Sequence, residues 1–198
     1  MNPIFTKALI GLFALSGSTG SLANTNPVVQ QQVVPAPVVS ISSYTVSMTA
    51  YNAVPEQTKA DPSYTASGAA SNPEVVAARS RDLADELPFG TVIRIDAATS
   101  TPNCGYNAVS GQVGYRVIAD TMAERMTNKI DILLDQAQTV VHSGMSMNPS
   151  RVLGLCSGVK ISVVGHIDIN DMPKTQGALS SMIEDQAPSA ISDQVAIK

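Results

Sequence analysis

Apolar and polar residues alternate along most of six short stretches in the middle of the chain. These are residues 44–51, 75–78, 90–95, 114–119, 129–134 and 159–164. Alternation with a period of two predicts strands, and the short apolar run at 75–78 fits one as well. Gly and Pro punctuate the pattern. It predicts a mainly β fold in which about six strands close into a small barrel, with short helical turns at 74–87 and 135–143.

The first residues differ from this pattern and have the features of a secretory signal peptide. Lys7 gives a positive start, residues 8–15 are apolar, and Ser-Leu-Ala at 21–23 is a small-x-small cleavage site. The apolar run is far shorter than the roughly 20 residues that span a bilayer. We therefore predict a signal peptide at 1–23, export to the periplasm or the extracellular envelope, and no transmembrane segment after cleavage. The alternative is a buried N-terminal helix.

Two further segments lack the alternation of the central region. Residues 24–43 are rich in Pro, Val and Gln and carry no charge, which is typical of an extended, disordered linker. Residues 168–198 mix Gly, Ser, Pro and Asp with scattered apolar residues, and we expect a flexible tail there, with a weak helix formed around Met182, Ile183 and Ile191 as the alternative. The folded domain is then predicted to span residues 44–167.

Composition supports one globular domain and narrows its partners. Of the 198 residues, 44% are hydrophobic and 14% are charged, so global disorder is excluded. The net charge is −4. Since binding to a phosphate backbone depends on a basic surplus, nucleic acid is not an expected partner.

The chain contains two cysteines, Cys104 and Cys156. Export takes a protein to an oxidising compartment, so we predict that they form a disulfide. The alternative is a pair of buried thiols, because free cysteine is often a core residue.

Motifs for metals and common cofactors are missing from the sequence. No phosphate-binding loop, dinucleotide glycine fingerprint or zinc spacing occurs, and His142 and His166 lie far apart. We therefore expect no cofactor and no metal site.

Two carboxylates stand in apolar surroundings. Asp120 ends the run Tyr-Arg-Val-Ile-Ala, and Asp131 interrupts the run Ile-Asp-Ile-Leu-Leu. The polar segment between them allows two strand ends to return to one place, and partial desolvation raises a carboxyl pKa toward that of a working acid. The alternative is that each aspartate only caps a turn.

Five short motifs in order resemble the 3D domain, a family named for its three aspartates. They are Thr-Ala-Tyr at 49–51, Thr-Ala-Ser-Gly at 65–68, Leu-Pro-Phe-Gly-Thr at 87–91, Ala-Asp-Thr at 119–121 and Ile-Asp-Ile at 130–132. The resemblance covers residues 45–165. It implies a six-stranded double-psi β-barrel, similar to the MltA-type lytic transglycosylases and the Sps/YuiC-like muralytic proteins.

The resemblance also implies an activity, the cleavage of the β-1,4 bond between N-acetylmuramic acid and N-acetylglucosamine in peptidoglycan strands. An aspartic acid protonates the glycosidic oxygen, and the resulting carboxylate takes the proton of the muramic C6 hydroxyl. That hydroxyl closes a 1,6-anhydro ring, so no second carboxylate has to activate water. Asp120 and Asp131 match two of the family aspartates. Asp82 matches the third, with Asp85 as a rival.

Further candidate residues lie in or near these motifs. Tyr51 is a candidate for stacking on a sugar ring, and the hydroxyls of Thr49 and Thr65 for hydrogen bonds to glycan. Arg125 is a candidate for binding a peptide carboxylate. The structural alternatives are that the first three brace the barrel loops and that Arg125 pairs with a surface carboxylate.

Two departures from the family pattern leave the function open. The first is a short insertion that separates Asp82 from Pro88, and the second is at Met122. Met122 follows Asp-Thr where the family usually has Gly, and the next residues, Ala-Glu-Arg, are bulkier and charged. The first hypothesis is a lytic transglycosylase. The second is a non-catalytic glycan-binding or envelope-structural barrel, and the third is a secreted protein that uses the barrel as a scaffold for interactions. The oligomeric state stays open.

Overall fold

The computed structural model describes residues 42–58, 61–98 and 101–186. The predicted signal peptide at 1–23 and nearly all of the predicted linker at 24–43 lie outside the described residues. So does the last part of the predicted tail, from residue 187 onward.

The described residues form eight strands, three α-helices and two 3-10 turns. The strands are β1 (Ser43–Tyr51), β2 (Val76–Arg79), β3 (Thr91–Ala97), β4 (Tyr115–Thr121), β5 (Lys129–Leu133), β6 (Val140–His142), β7 (Met145–Met147) and β8 (Cys156–His166). The helices are α1 (Tyr106–Val113), α2 (Pro149–Leu153) and α3 (Gln176–Gln186), and the 3-10 turns are Arg81–Leu83 and Ile169–Asp171. The predicted mainly β fold is confirmed.

Six strands close into a barrel in the order β1-β5-β2-β4-β3-β8, and all six predicted strands belong to it. The pairs β1–β5 and β2–β4 are parallel, and the other four pairs are antiparallel. β6 and β7 form a separate hairpin, where the sequence predicted a helical turn at 135–143. The predicted closed barrel of six strands is therefore confirmed.

The pairing pattern of the barrel has an internal two-fold relation. If β1, β2 and β3 exchange places with β4, β5 and β8, the cyclic strand order and the direction of every pair stay the same. The two parallel pairs then replace each other, while β2–β5 and β3–β8 are each mapped onto themselves. At the centre of β2–β5, Ala78 lies opposite Asp131.

Two groups of buried side chains hold the fold together. The first takes residues from all six barrel strands, among them Met48, Ile118, Ile130 and Ile132, and fills the barrel interior. The second joins side chains of β2, β3, β4 and β5 to α3. Because neighbouring strand residues point to opposite faces, the second group covers the outer face of the same strands.

Helix α3 lies inside the stretch that the sequence predicted to be a flexible tail. Leu179 is fully buried and Ile183 nearly so, because both pack into the second group of core residues. At the start of the helix, the Gln176 side chain accepts a hydrogen bond from the Tyr115 backbone N–H (3.0 Å) and donates one to its carbonyl (2.7 Å). Residues 176–186 are thus packed helix, fastened to the edge of β4.

The predicted disulfide is confirmed. Cys104 and Cys156 are bonded, and the two residues are 52 positions apart in sequence. Both are almost fully buried, which the thiol alternative also required. The bond links the segment before α1 to the first residue of β8.

Arg116 is a fully buried cation that the sequence analysis did not single out. Its guanidinium donates to the carbonyl oxygens of Pro73 (2.6 Å), Leu133 (3.1 Å), Gln112 and Val113. Burial lowers the pKa of Arg116 to about 10, so it remains charged at neutral pH. One side chain therefore ties the end of α1 to the start of β2 and the end of β5.

We expect the substitution Arg116→Met to lower the free energy of unfolding by about 3 kcal/mol, since Met keeps the volume but leaves buried carbonyls without donors. Urea denaturation measures the change. The control is Arg94→Met, because Arg94 is exposed and its ion pair with Asp96 lies at the surface, where such pairs contribute little. Equal losses in the two variants would contradict this role for Arg116.

Candidate active site

Asp131 occupies the middle of β5 and faces away from the barrel interior. Its neighbours Ile130 and Ile132 are fully buried in the interior core, so alternation directs Asp131 to the other face. Its register partners are Thr49 on β1 and Ala78 on β2. A carboxyl group is thereby fixed on a three-stranded patch of sheet.

A β-bulge brings Asp120 beside this patch. Ala77 pairs with Ile118, but the next residue, Ala78, pairs with Asp120, so Ala119 is an extra residue on β4. Without it, alternation from Ile118 would direct Asp120 into the barrel interior. Bulges of this kind re-aim side chains beside functional sites.

The register now reads as a row of four residues across four strands, in the order Thr49, Asp131, Ala78 and Asp120. Two strand spacings of roughly 4.8 Å separate the backbones of the two aspartates. Between them stands the small side chain of Ala78, which lines the same pocket as the two aspartates. The row therefore forms a floor with one carboxyl on each side of a gap.

Asp120 is held by three hydrogen bonds. Its Oδ1 accepts from the backbone N–H groups of Ala66 (2.9 Å) and Thr121 (2.8 Å). Its Oδ2 accepts from the hydroxyl of Tyr51 (2.9 Å). Both carboxyl oxygens are acceptors, so the orientation of the group is set by its surroundings.

Asp131 has a different environment. Its Oδ1 accepts one hydrogen bond, from the Thr49 hydroxyl (2.8 Å), and among the described residues its Oδ2 has no donor. The pKa of Asp131 is raised to about 6, chiefly by burial. The Thr49 hydrogen bond and the charge of Lys129 oppose this shift, and the charge of Asp120 makes a smaller contribution in the upward direction. A carboxyl group that is protonated near pH 6 and has one oxygen available is suited to act as a general acid.

Three members of the row, Asp131, Ala78 and Asp120, line an open cleft of about 510 Å³. One wall comes from the segment after β1, with Glu56, Asp61 and Tyr64, and the other from the segment after β4, with Met122 and Arg125. Most of the lining residues are polar, with carboxylates on the first wall and a guanidinium on the second. Such a cleft fits a polar ligand better than an apolar one.

Most predicted site residues meet at this cleft. Asp120, Asp131, Tyr51, Thr65 and Arg125 line it, and Thr49, which is not in the lining, donates its hydroxyl to Asp131 from the neighbouring strand. The Thr65 hydroxyl is used within its own loop, where it bonds the Ser67 hydroxyl (3.0 Å) and the Ala69 carbonyl (3.2 Å).

Asp82 lies outside the lining of the cleft. It is on the 3-10 turn after β2, and its Oδ2 accepts from the backbone N–H of Asn128 (2.8 Å). Hydrogen bonds from Ser80 and Asn128 lower the pKa of Asp82. Its geometry is that of a brace between this turn and the start of β5. The rival, Asp85, is also absent from the lining.

The ring of Tyr51 is packed rather than displayed. It is 9% exposed, belongs to the second group of core residues and directs its hydroxyl at Asp120. Burial raises the pKa of Tyr51, and the charge of Asp120 raises it further. The phenol therefore stays protonated and donates a hydrogen bond to Asp120. Tyr51 is therefore a residue that positions Asp120.

Sequence reasoning missed three parts of the site. Ala78, the backbone N–H of Ala66 and the exposed ring of Tyr64 carried no signal of their own, although Ala66 lies in the motif at 65–68. Only the strand register and the path of the loop bring them to the aspartates.

Comparisons with family models and with curated proteins found no match for this chain. The class of protein is defined by its structure, a closed six-stranded β-barrel with a two-carboxylate cleft on its outer face. Among the described residues, no group of three or more His, Cys, Asp or Glu is placed to hold a metal ion. None of the described helices combines the length and the apolar character needed to cross a membrane.

Proposed function

We propose that the protein is an exported enzyme that cleaves glycosidic bonds in peptidoglycan by the chemistry of a lytic transglycosylase, with Asp131 as general acid and base. The observation that carries the proposal is the row on the sheet, in which Asp131, with one free oxygen, and Asp120, held by three donors, share one cleft floor. Two carboxyl groups in unlike environments are the arrangement that acid–base cleavage of a glycoside uses.

The roles follow from the contacts. Protonated Asp131 donates its proton to the glycosidic oxygen while the bond from that oxygen to the muramic C1 breaks. The carboxylate of Asp131 then takes the proton of the C6 hydroxyl, whose oxygen bonds to C1 and closes the 1,6-anhydro ring. Asp120 remains oriented by its three donors and stabilises the positive charge that develops on the sugar.

The residue that departs from the family pattern is compatible with this proposal. Met122 is 9% exposed and packs into the second group of core residues, so most of its side chain is outside the space of the cleft. Among the described residues, the non-glycine residues with positive φ are Asn128 and Ser143, so position 122 does not need the conformational freedom of glycine. Its backbone N–H is bonded to the Arg79 carbonyl (2.9 Å).

The topology of the barrel fits the same family resemblance. We infer that the barrel is a double-psi barrel, because its two parallel pairs are exchanged by the two-fold relation between β1-β2-β3 and β4-β5-β8. The disulfide supports export, since such bonds persist in oxidising compartments. The proposed partner is the glycan strand of peptidoglycan, with Arg125 positioned on one wall for a peptide carboxylate.

The test is mass spectrometry of soluble products after the purified protein is incubated with peptidoglycan, beside the variants Asp131→Asn and Asp120→Asn. We expect 1,6-anhydro muropeptides from the unaltered protein, none from Asp131→Asn, and a reduced amount from Asp120→Asn. Full release by both folded variants would remove the proposal.

A non-catalytic glycan-binding barrel is the second candidate. The observation that favours it is that both oxygens of Asp120 are bonded within the protein, as in a structural anchor. If no products form while the protein sediments with peptidoglycan, the cleft binds glycan without cleaving it.

A further inference from the structure

Tyr64 is an exposed aromatic residue on the rim of the cleft. Its side chain is 61% exposed, and among the Phe and Tyr side chains in the described part of the chain it is the one that is exposed. It lines the cleft on the wall that follows β1. At this position the ring offers an uncovered apolar surface to a ligand that enters the cleft.

The loop that carries Tyr64 is fixed although its ring is exposed. Tyr64 forms a β-bridge with Ala70, and the neighbouring Thr65 N–H bonds the Ala69 carbonyl (2.9 Å). The next residue, Ala66, donates its N–H to Asp120. The backbone that presents the ring is thus fastened directly to a carboxylate of the site.

The ring has the properties that a sugar-binding platform requires. A pyranose ring shows one face of C–H groups and an edge of hydroxyls, and an aromatic ring binds the C–H face while polar groups bind the edge. Tyrosine supplies this area with two rotatable bonds, so little entropy is lost when the ring is covered. The carboxyl groups of Asp131 and Asp120 line the same cleft.

We propose that Tyr64, rather than Tyr51, is the stacking platform for a sugar unit of the glycan strand next to the bond that is cleaved. Tyr51 is packed and uses its hydroxyl to hold Asp120, whereas the ring of Tyr64 is free of both duties. The proposal rests on the proposed function, because it names the contact that would place a glycan over the two aspartates. Tyr64 is a binding residue and takes no part in proton transfer.

The test measures the affinity of the protein for soluble peptidoglycan glycan strands stripped of their peptides. Asp131→Asn is the background, so that no strand is cleaved during the measurement. Tyr64→Phe keeps the ring and is expected to bind within about twofold of the background protein. Tyr64→Leu keeps apolar volume but loses the ring, and Tyr64→Ala loses both, and each is expected to bind roughly tenfold more weakly.

Two further measurements separate stacking from a general disturbance of the loop. Saturation transfer in NMR is expected to pass from the ring protons to the C–H face of one sugar, and to persist in Tyr64→Phe. Leu155→Ala is the matched control, since Leu155 is also exposed (44%) but lies outside the cleft lining, and it should not change the affinity.

The outcomes distinguish this inference from the proposed function. If the Asp131→Asn protein with Tyr64 intact does not bind the strands, the proposed substrate class fails and the inference fails with it. If it binds them and Tyr64→Ala binds equally well, the stacking role alone is overturned. If Tyr64→Phe is as weak as Tyr64→Ala, the phenol hydroxyl rather than the ring face makes the contact, which also overturns it.

Discussion

The Asp131→Asn variant is expected to lose about a thousandfold or more of the cleavage rate, because asparagine cannot donate or recover the proton of the glycosidic oxygen. Binding of the glycan should persist, since the introduced amide keeps the shape of the carboxyl group. The amide oxygen can still accept the hydrogen bond from the Thr49 hydroxyl. The measurement is the initial rate of product release at equal bound substrate. A residual rate within tenfold of the unaltered protein would assign the acid role to another residue.

The pH dependence of the same reaction follows from the environment of Asp131. Burial raises its pKa to about 6, and the acid step requires the protonated form. The rate is therefore expected to fall as pH rises through about 6 and to level off at lower pH. A profile that is flat between about pH 5 and 8, values on either side of that pKa, would contradict a rate-limiting proton transfer from Asp131.

In the Asp131→Asn variant, stability is expected to rise although activity is lost. The folded-state pKa of Asp131, about 6, lies above its unfolded value of 3.8. As pH rises above 3.8, ionisation favours the unfolded state, and the resulting loss of stability is complete above about pH 6. The amide of the Asp131→Asn variant carries no charge and avoids the penalty. We expect this variant to be more stable than the unaltered protein by about 3 kcal/mol at about pH 8, with little difference near pH 4.

Asp82→Asn is the matched control for both effects. The pKa of Asp82 is lowered by its hydrogen bonds, so its ionised form stabilises the fold above the unfolded pKa, and this contribution is lost as pH falls through the folded value. The Asp82→Asn variant should therefore lose stability at about pH 8 and keep its cleavage rate. A gain in stability for both variants would show that the effect at position 131 is not specific to its buried charge.

The strands were the most predictable part of the fold. In β5, the alternation of Ile130, Asp131 and Ile132 is direct evidence of one buried and one open face, and the structure confirms it. The strand order is not visible in such a pattern, because a period of two shows which face a residue takes and not which strand lies beside it. Helix α3 was predicted only as the alternative to a flexible tail. Leu179 and Ile183 are one helical turn apart, but the segment is rich in small residues, and the burial of both side chains depends on a surface made by other strands.

The aspartates of the site were identified from sequence, but their relation was not. The bulge at Ala119 decides that Asp120 shares a face with Asp131, and an alanine within an apolar run gives no sign of it. The roles of the two tyrosines could not be predicted from the sequence for the same reason. Tyr51 sits in a motif and Tyr64 does not, and only the fold shows that the first is packed and the second exposed.

The two-fold relation within the barrel explains why the site forms where it does. Ala78 and Asp131 are opposite partners at the centre of β2–β5, so the exchange of halves maps one onto the other. It also maps Thr49 onto Asp120, the outer members of the row. The site thus lies where the two halves meet, and the chain has placed different chemistry at equivalent positions.

Removing the disulfide is expected to be the largest single loss of stability. The bond closes a loop of 52 residues, for which the loss of chain entropy in the unfolded state corresponds to about 4 kcal/mol. The double variant Cys104→Ala/Cys156→Ala should therefore unfold at a clearly lower urea concentration than the oxidised protein. Since small domains are stable by only about 5–15 kcal/mol, this bond carries a large share of the total.

Adding a reductant provides the control, because it breaks the disulfide without changing the sequence. It should lower the unfolding midpoint of the unaltered protein to near that of the double variant, and it should not affect the double variant. If both proteins unfold at the same midpoint in the absence of reductant, the core around Cys104 and Cys156 holds these segments without the bond. With the expected loss, the fold reaches its full stability only where thiols are oxidised, which is the condition that the proposed export would provide.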